Sequence, residues 1–124
     1  MTVCQSGHIL ATVSSTDKPL VWLQGEVKTP PFSTAARVET GFLLRKLQRG
    51  ESIGMPHSRP LPVIGRRCHE LRIKGGQLEW RLVHRIDRDA IVIAEVFAKK
   101  TRQTPKPVIM VCQRRLREYD DACK

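Results

Sequence analysis

A chain of 124 residues makes about one domain, large enough to bury about two-thirds of the surface its unfolded form exposes, so it needs no metal or disulfide staple. Lys and Arg number 22 against 12 Asp and Glu, and the net charge of +10 favours a polyanionic partner, of which nucleic acid fits best. No apolar run approaches the roughly 20 residues that span a bilayer, which argues against a membrane partner, and an aromatic content of 5% argues against a single-strand binder built on base stacking.

Residues 1–17 are rich in Ser and Thr, show no sustained periodicity, and read as a loose N-terminal extension to a domain formed by 18–124. They lack the charged and then apolar segments of a signal peptide, which points to the cytoplasm. Residues 19–23 form a short apolar run ended by Gln24-Gly25 and predict a strand. Pro30-Pro31 breaks the chain, Ser33 can cap a helix running to about residue 49, and Gly50 can stop it. Ala35, Val38, Phe42, Leu43 and Leu47 follow helical spacing and predict its buried stripe. Between 50 and 67, Gly50, Gly54, Pro56, Pro60, Pro62 and Gly65 leave no room for a long regular element, and loops of that length usually serve a function or clamp the fold.

After this loop the apolar period becomes two. Residues 68–74 alternate as a strand, Gly75-Gly76 signals a hairpin, 78–86 alternate again, and Asp87-Arg88 turns the chain into a strand over 89–98. That last strand is apolar on both faces apart from Glu95 and should be central. A final helix over about 105–120 carries Val108, Val111, Cys112, Leu116 and Tyr119 on one face and Arg114, Arg115 and Arg117 on the other. The fold class is therefore α+β, an antiparallel sheet of about four strands packed by two or three helices.

Cys4, Cys68, Cys112 and Cys123 are dispersed, with neither zinc spacing nor a secreted disulfide framework, and adjacent Cys68 and His69 point to opposite faces of a strand. Neither a metal nor a cofactor is expected.

Strand alternation places Arg72 with Glu70, and Arg81 with Glu79 and Arg85, so Arg72 and Arg81 can share one side of the sheet across the hairpin. Lys99, Lys100 and Arg102 cluster at the end of the third strand. A guanidinium suits phosphate because its planar fork donates two hydrogen bonds at once. Cleavage of RNA by its own 2′-hydroxyl needs one proton removed, charge on phosphorus stabilised, and the leaving oxygen protonated. Arginine and lysine serve the second need, and Glu70, Glu95, His69 and His84 are the nearby groups for the others. Read by charge and pattern alone, Arg72 and Arg81 fit a solvated face or pairs with Glu70 and Glu79 equally well. Glu95 fits a paired structural carboxylate, and His84, beside Leu82 and Ile86, fits a core histidine.

A helix ending in Leu47-Gln48-Arg49-Gly50, the loop Gly54-Met55-Pro56, the strands Glu70-Leu71-Arg72-Ile73 and Trp80-Arg81, and the segment from Phe97-Ala98-Lys99-Lys100 through Thr101-Arg102-Gln103-Thr104-Pro105 together resemble the phage-derived HigB-like branch of the RelE/ParE toxin superfamily, over roughly residues 18–120. The resemblance implies a toxin of a type II toxin-antitoxin pair that cuts mRNA on the ribosome. It also implies neutralisation by a cognate antitoxin, expected to be a small helix-turn-helix protein. By position it assigns Arg72, Arg81, Lys99 and Lys100, with Glu70, to the catalytic site, and Arg85, Arg102, Arg114 and Arg115 are the further RNA contacts expected. The ParE branch implies inhibition of DNA gyrase instead, and an inactive phage-derived member of the fold is a third possibility.

Overall fold

The computed structural model describes residues 8–9, 17–23, 32–75, 78–99 and 103–123. In chain order its elements are β1 (His8–Ile9), β2 (Leu20–Trp22), α1 (Thr34–Gln48), β3 (Ser58–Pro60), β4 (Cys68–Gly75), β5 (Leu78–Ile86), β6 (Ile91–Lys99) and α2 (Lys106–Ala122). The strands form one sheet in the order β1-β2-β6-β5-β4-β3, antiparallel except where β2 runs parallel to β6. The predicted α+β class is thus observed. Two short strands exceed expectation: β3 forms inside the Gly- and Pro-rich loop, and β1, from within 1–17, pairs with β2; the remainder of that expected extension, apart from Asp17, lies outside the described residues.

Each face of the sheet carries one helix. Leu71, Ile73, Trp80, Leu82, Ile91 and Ile93 pack against Ala36, Leu43, Leu44 and Leu47 of α1. On the other face, Cys68, Val83, Val92 and Ala94 pack against Cys112, Leu116 and Tyr119 of α2. Residues 91–94 of β6 are fully buried, as expected of a central strand covered on both faces. Among the described residues no helix is long and apolar enough to cross a membrane.

The buried stripe of α1 differs from the predicted one. Ala36, Thr40, Leu43, Leu44, Leu47 and Gln48 face inward, and Ala35, Val38 and Phe42 are exposed. The reason is that two polar residues sit on the core face with backbone partners. Thr40 Oγ1 donates to the Ala36 carbonyl at 2.7 Å, and Gln48 Nε2 donates to the Lys18 carbonyl at 3.0 Å. The helix ends are as predicted: Ser33 Oγ accepts from Ala36 N at 3.1 Å, and Gly50 at φ +84° follows the last turn.

A β-bulge between β5 and β6 decides which side chains reach the α2 face. Val83 pairs with Glu95 but His84 pairs with Ile93, leaving Ala94 as the extra residue. Ile91 and Ile93 therefore face α1, whereas beyond the bulge Val96 and Ala98 take that side. Glu95, Phe97 and Lys99 are thereby turned to the α2 side, which a regular strand would not have done.

Candidate functional site

The α2 helix packs over Cys68, Val83, Val92 and Ala94, and the hairpin end of the same sheet face is where the cations gather. Arg72 stands directly opposite Arg81, Arg81 opposite Phe97, and Glu79 opposite Lys99. Like charges directly across a ladder repel, and carboxylates relieve that repulsion here. Arg81 Nη2 donates to Glu79 Oε2 at 3.2 Å, and Glu70 Oε1 lies 3.7 Å from Arg81 Nε and 3.9 Å from Lys99 Nζ. Glu70 is fully buried and Arg81 is 2% exposed. Thr104 Oγ1 donates to Glu70 Oε2 at 3.4 Å, bringing the segment before α2 to the same carboxylate.

Satisfaction of this network is incomplete. Among the described residues Glu70 Oε1 and Arg81 Nε have ionic neighbours but no hydrogen-bond partner, an arrangement that a buried polar cluster tolerates only at some cost in stability. Burial pushes the Lys99 ammonium below its ordinary pKa, Glu70 opposes that shift, and Arg81, Arg72 and Arg59 add to it. Cations from β3, β4, β5 and β6 thus act on one point.

Beside this network lies a groove of about 490 Å³ lined by Glu39, Pro56, His57, Arg72, Lys74, Glu79 and Arg81. The 54–58 loop is bonded to itself and to β4. Gly54 O accepts from His57 N and Ser58 N, both at 3.1 Å, and Arg72 N donates to His57 O at 2.8 Å. The backbone bond from Arg72 fixes His57 beside the groove. Sequence reasoning missed Glu39, His57 and Lys74 as site residues: Lys74 shares its strand face with Arg72 by simple alternation, Glu39 comes with the packing of α1 on the sheet, and only the pairing of this loop with β4 brings His57 to Arg72. The available signal was the Gly54-Met55-Pro56 turn within a long loop.

Arg72, Arg81 and Glu70 share one sheet face as strand alternation predicts, and the bulge at Ala94 adds Lys99 to them. The picture of an open cationic face needs correction, however. Arg81 and the Lys99 side chain are buried against Glu70, leaving Arg72 and Lys74 as the more accessible cations of the groove. Lys100 and Arg102 lie outside the described residues.

Arg85 is corrected as an RNA contact. It is 8% exposed, and all three guanidinium nitrogens bond to carboxylates: Nε and Nη2 to Asp87 at 2.7 and 2.9 Å, Nη1 and Nη2 to Asp120 at 3.0 and 2.7 Å. These bonds tie the last turns of α2 to the sheet. A second concavity of about 510 Å³ lies there, and its Arg85 is already neutralised by this pairing. Arg114 is exposed and pairs with Glu118 at 3.7 Å, and Arg115 donates to the Ala94 carbonyl at 2.8 Å and approaches Glu95 at 3.4 Å. Neither lines the groove.

The proton-transfer groups named from the sequence fare differently. His84 is fully buried on the α1 side, and burial pushes its pKa down to about 4. His69 stacks on His84 at 5.8 Å between centroids, on the face opposite Arg72. Glu95 pairs with Arg115 and accepts from Val96 N at 3.1 Å. Among the described residues no three His, Cys, Asp or Glu side chains stand together as a metal site, and Cys68 and Cys112 are buried free thiols.

No curated protein and no solved structure matches the chain. A family model described as phage-derived protein Gp49-like (DUF891) matches residues 31–117. The matched span takes in α1, the 50–67 loop, β3 to β6 and most of α2, and so every residue that lines the groove. The chain belongs to the phage-derived Gp49-like family (DUF891), within the RelE/HigB-like toxin group.

Proposed function

We propose that the protein is the toxin of a type II toxin-antitoxin pair, a cytoplasmic endoribonuclease that cuts mRNA on the ribosome. The observation that carries the reading is the direct cross-strand pairing of Arg72 with Arg81 at the wall of a groove that also holds Lys74. Glu70 and Glu79 offset the charge of Arg81 but leave Arg72 without a carboxylate partner among the described residues, so a phosphate against this pair is bound and its developing charge stabilised by the same contacts.

In this reading the 2′-hydroxyl of the RNA attacks the adjacent phosphorus. Arg72 and Lys74 take the phosphate from the accessible side. Arg81 turns part of its fork from the half-exposed Glu79 to the same phosphate, while Glu70, itself paired with Lys99, holds the Arg81 guanidinium from behind. A net charge of +10 steers RNA toward this surface, and the same charge suits an antitoxin that covers it with an acidic or amphipathic segment.

Induction in a bacterial host tests the proposal. Growth arrest accompanied by primer-extension stops within translated codons, absent for Arg72→Ala, is the expected result. Arrest with intact mRNA and DNA-damage signalling would reject RNA cleavage in favour of the gyrase-directed activity of the ParE branch. Harmless overproduction would mark an inactive member of the fold.

A further inference from the structure

Proton transfer is the part of RNA cleavage that the arginines and lysines leave unserved. Glu70 is sealed beneath Arg81 and Lys99, His84 and His69 lie on the far face, Glu95 is engaged by Arg115, and Tyr119, the only tyrosine, is buried on the inner face of α2. His57 is different. It is the imidazole that lines the groove with Arg72, Lys74 and Arg81, its side chain is 57% exposed, and its backbone carbonyl is bonded to Arg72 N at 2.8 Å.

Resting on the RNA-cutting reading above, we propose that His57 is the general acid of the groove, with Glu39 of α1 as its positioning residue. Glu39 Oε1 lies 3.9 Å from His57 Nδ1, and among the described residues Nε2 has no hydrogen-bond partner. A carboxylate on the Nδ1 side anchors the ring by that nitrogen and leaves Nε2 as the donating atom. The charged groups around the ring are Glu39 from α1, Arg72 and Lys74 from β4, and Glu79 and Arg81 from β5.

The step balances without a further reagent. The 2′-hydroxyl releases its proton to water and its oxygen bonds to phosphorus. The bond from phosphorus to the 5′-oxygen breaks, and that oxygen takes the proton from His57 Nε2. The products are a 2′,3′-cyclic phosphate and a 5′-hydroxyl, and the imidazole is reprotonated from solvent. No metal enters this sequence, and no electron changes hands.

The experiment uses the full chain and ribosomes programmed with synthetic mRNA in two forms, one unmodified and one with sulfur replacing the 5′-bridging oxygen at the cleaved linkage. A thiolate leaves without being protonated, so only the oxygen form needs a general acid. His57→Gln is expected to slow cleavage of the oxygen form by about 10²–10⁴-fold and to cut the sulfur form at close to the wild-type rate. Glu39→Gln should slow cleavage of the oxygen form and leave the sulfur form near the wild-type rate, as expected of a residue that acts through the acid rather than on the fold. Melting should be unchanged by His57→Gln, since the side chain is largely exposed.

Equal loss on both substrates would overturn the acid role, as would oxygen-form cleavage by His57→Gln within about threefold of wild type, far short of the loss that removing a general acid brings. Wild-type protein that cuts neither substrate would instead overturn the nuclease reading on which this proposal stands.

Discussion

Arg72 and Arg81 are cross-strand partners of identical chemistry in unlike surroundings, and their substitutions should separate accordingly. Arg81→Ala leaves the fully buried Glu70 without its main counter-ion and should cost roughly 3–5 kcal/mol in urea unfolding, so lost activity in that variant would say little about catalysis. Arg72 is half-buried and has no ion pair among the described residues. Arg72→Ala should change stability by less than about 0.5 kcal/mol while removing RNA cleavage, and unfolding and cleavage assays on the same preparation check both expectations. His84 sets a pH dependence of its own. Its pKa falls from 6.5 to about 4 on folding, so the unfolded state binds the extra proton and stability falls as pH drops through that window, by on the order of 3 kcal/mol in all. Above pH 6.5 this group contributes no slope. Urea titrations at a series of pH values should show a shallower acid decline for His84→Leu than for wild type.

Helices and strands were legible where one period dominated. The β4-β5-β6 meander and the capped ends of α1 follow directly from alternation, from Ser33 and from Gly50. The inward face of α1 was not legible, because Thr40 and Gln48 reach the core by bonding to backbone, which a hydrophobic pattern cannot register. The bulge at Ala94 was equally hidden, and without it Lys99 would lie on the α1 side, away from Glu70. His57 entered the groove through a loop whose position depends on a bond to β4 rather than on any local pattern.

Two predictions concern how the elements join. A Cβ at Gly75 would stand 2.8 Å from Ala36 Cβ, so Gly75→Ala must push β4 from the first turn of α1 and should cost about 1–3 kcal/mol, read as a lowered melting temperature. Arg85→Ala should destabilise by a similar amount, about 1–3 kcal/mol, by loosening the end of α2, and should leave RNA affinity unchanged in a binding titration, because its donors are spent on Asp87 and Asp120.

The molecule combines a sheet covered by one helix on each face with an excess of basic charge, part of which gathers at the hairpin end. Cations meet there from four strands, two of them sealed against Glu70 and the others nearer to solvent. The shared face of Arg72, Arg81 and Glu70 was foreseen from alternation, but the burial of Lys99 beside them was not, since it depends on the bulge that turns Lys99 toward Glu70. The most direct measurement is cleavage of mRNA by the purified protein on programmed ribosomes, comparing wild type with a folded Arg72→Ala variant. Fragments ending in a 2′,3′-cyclic phosphate, formed at least about 100-fold more slowly by the variant, are the predicted result. Intact mRNA with wild-type protein, or equal rates for the two, would contradict it.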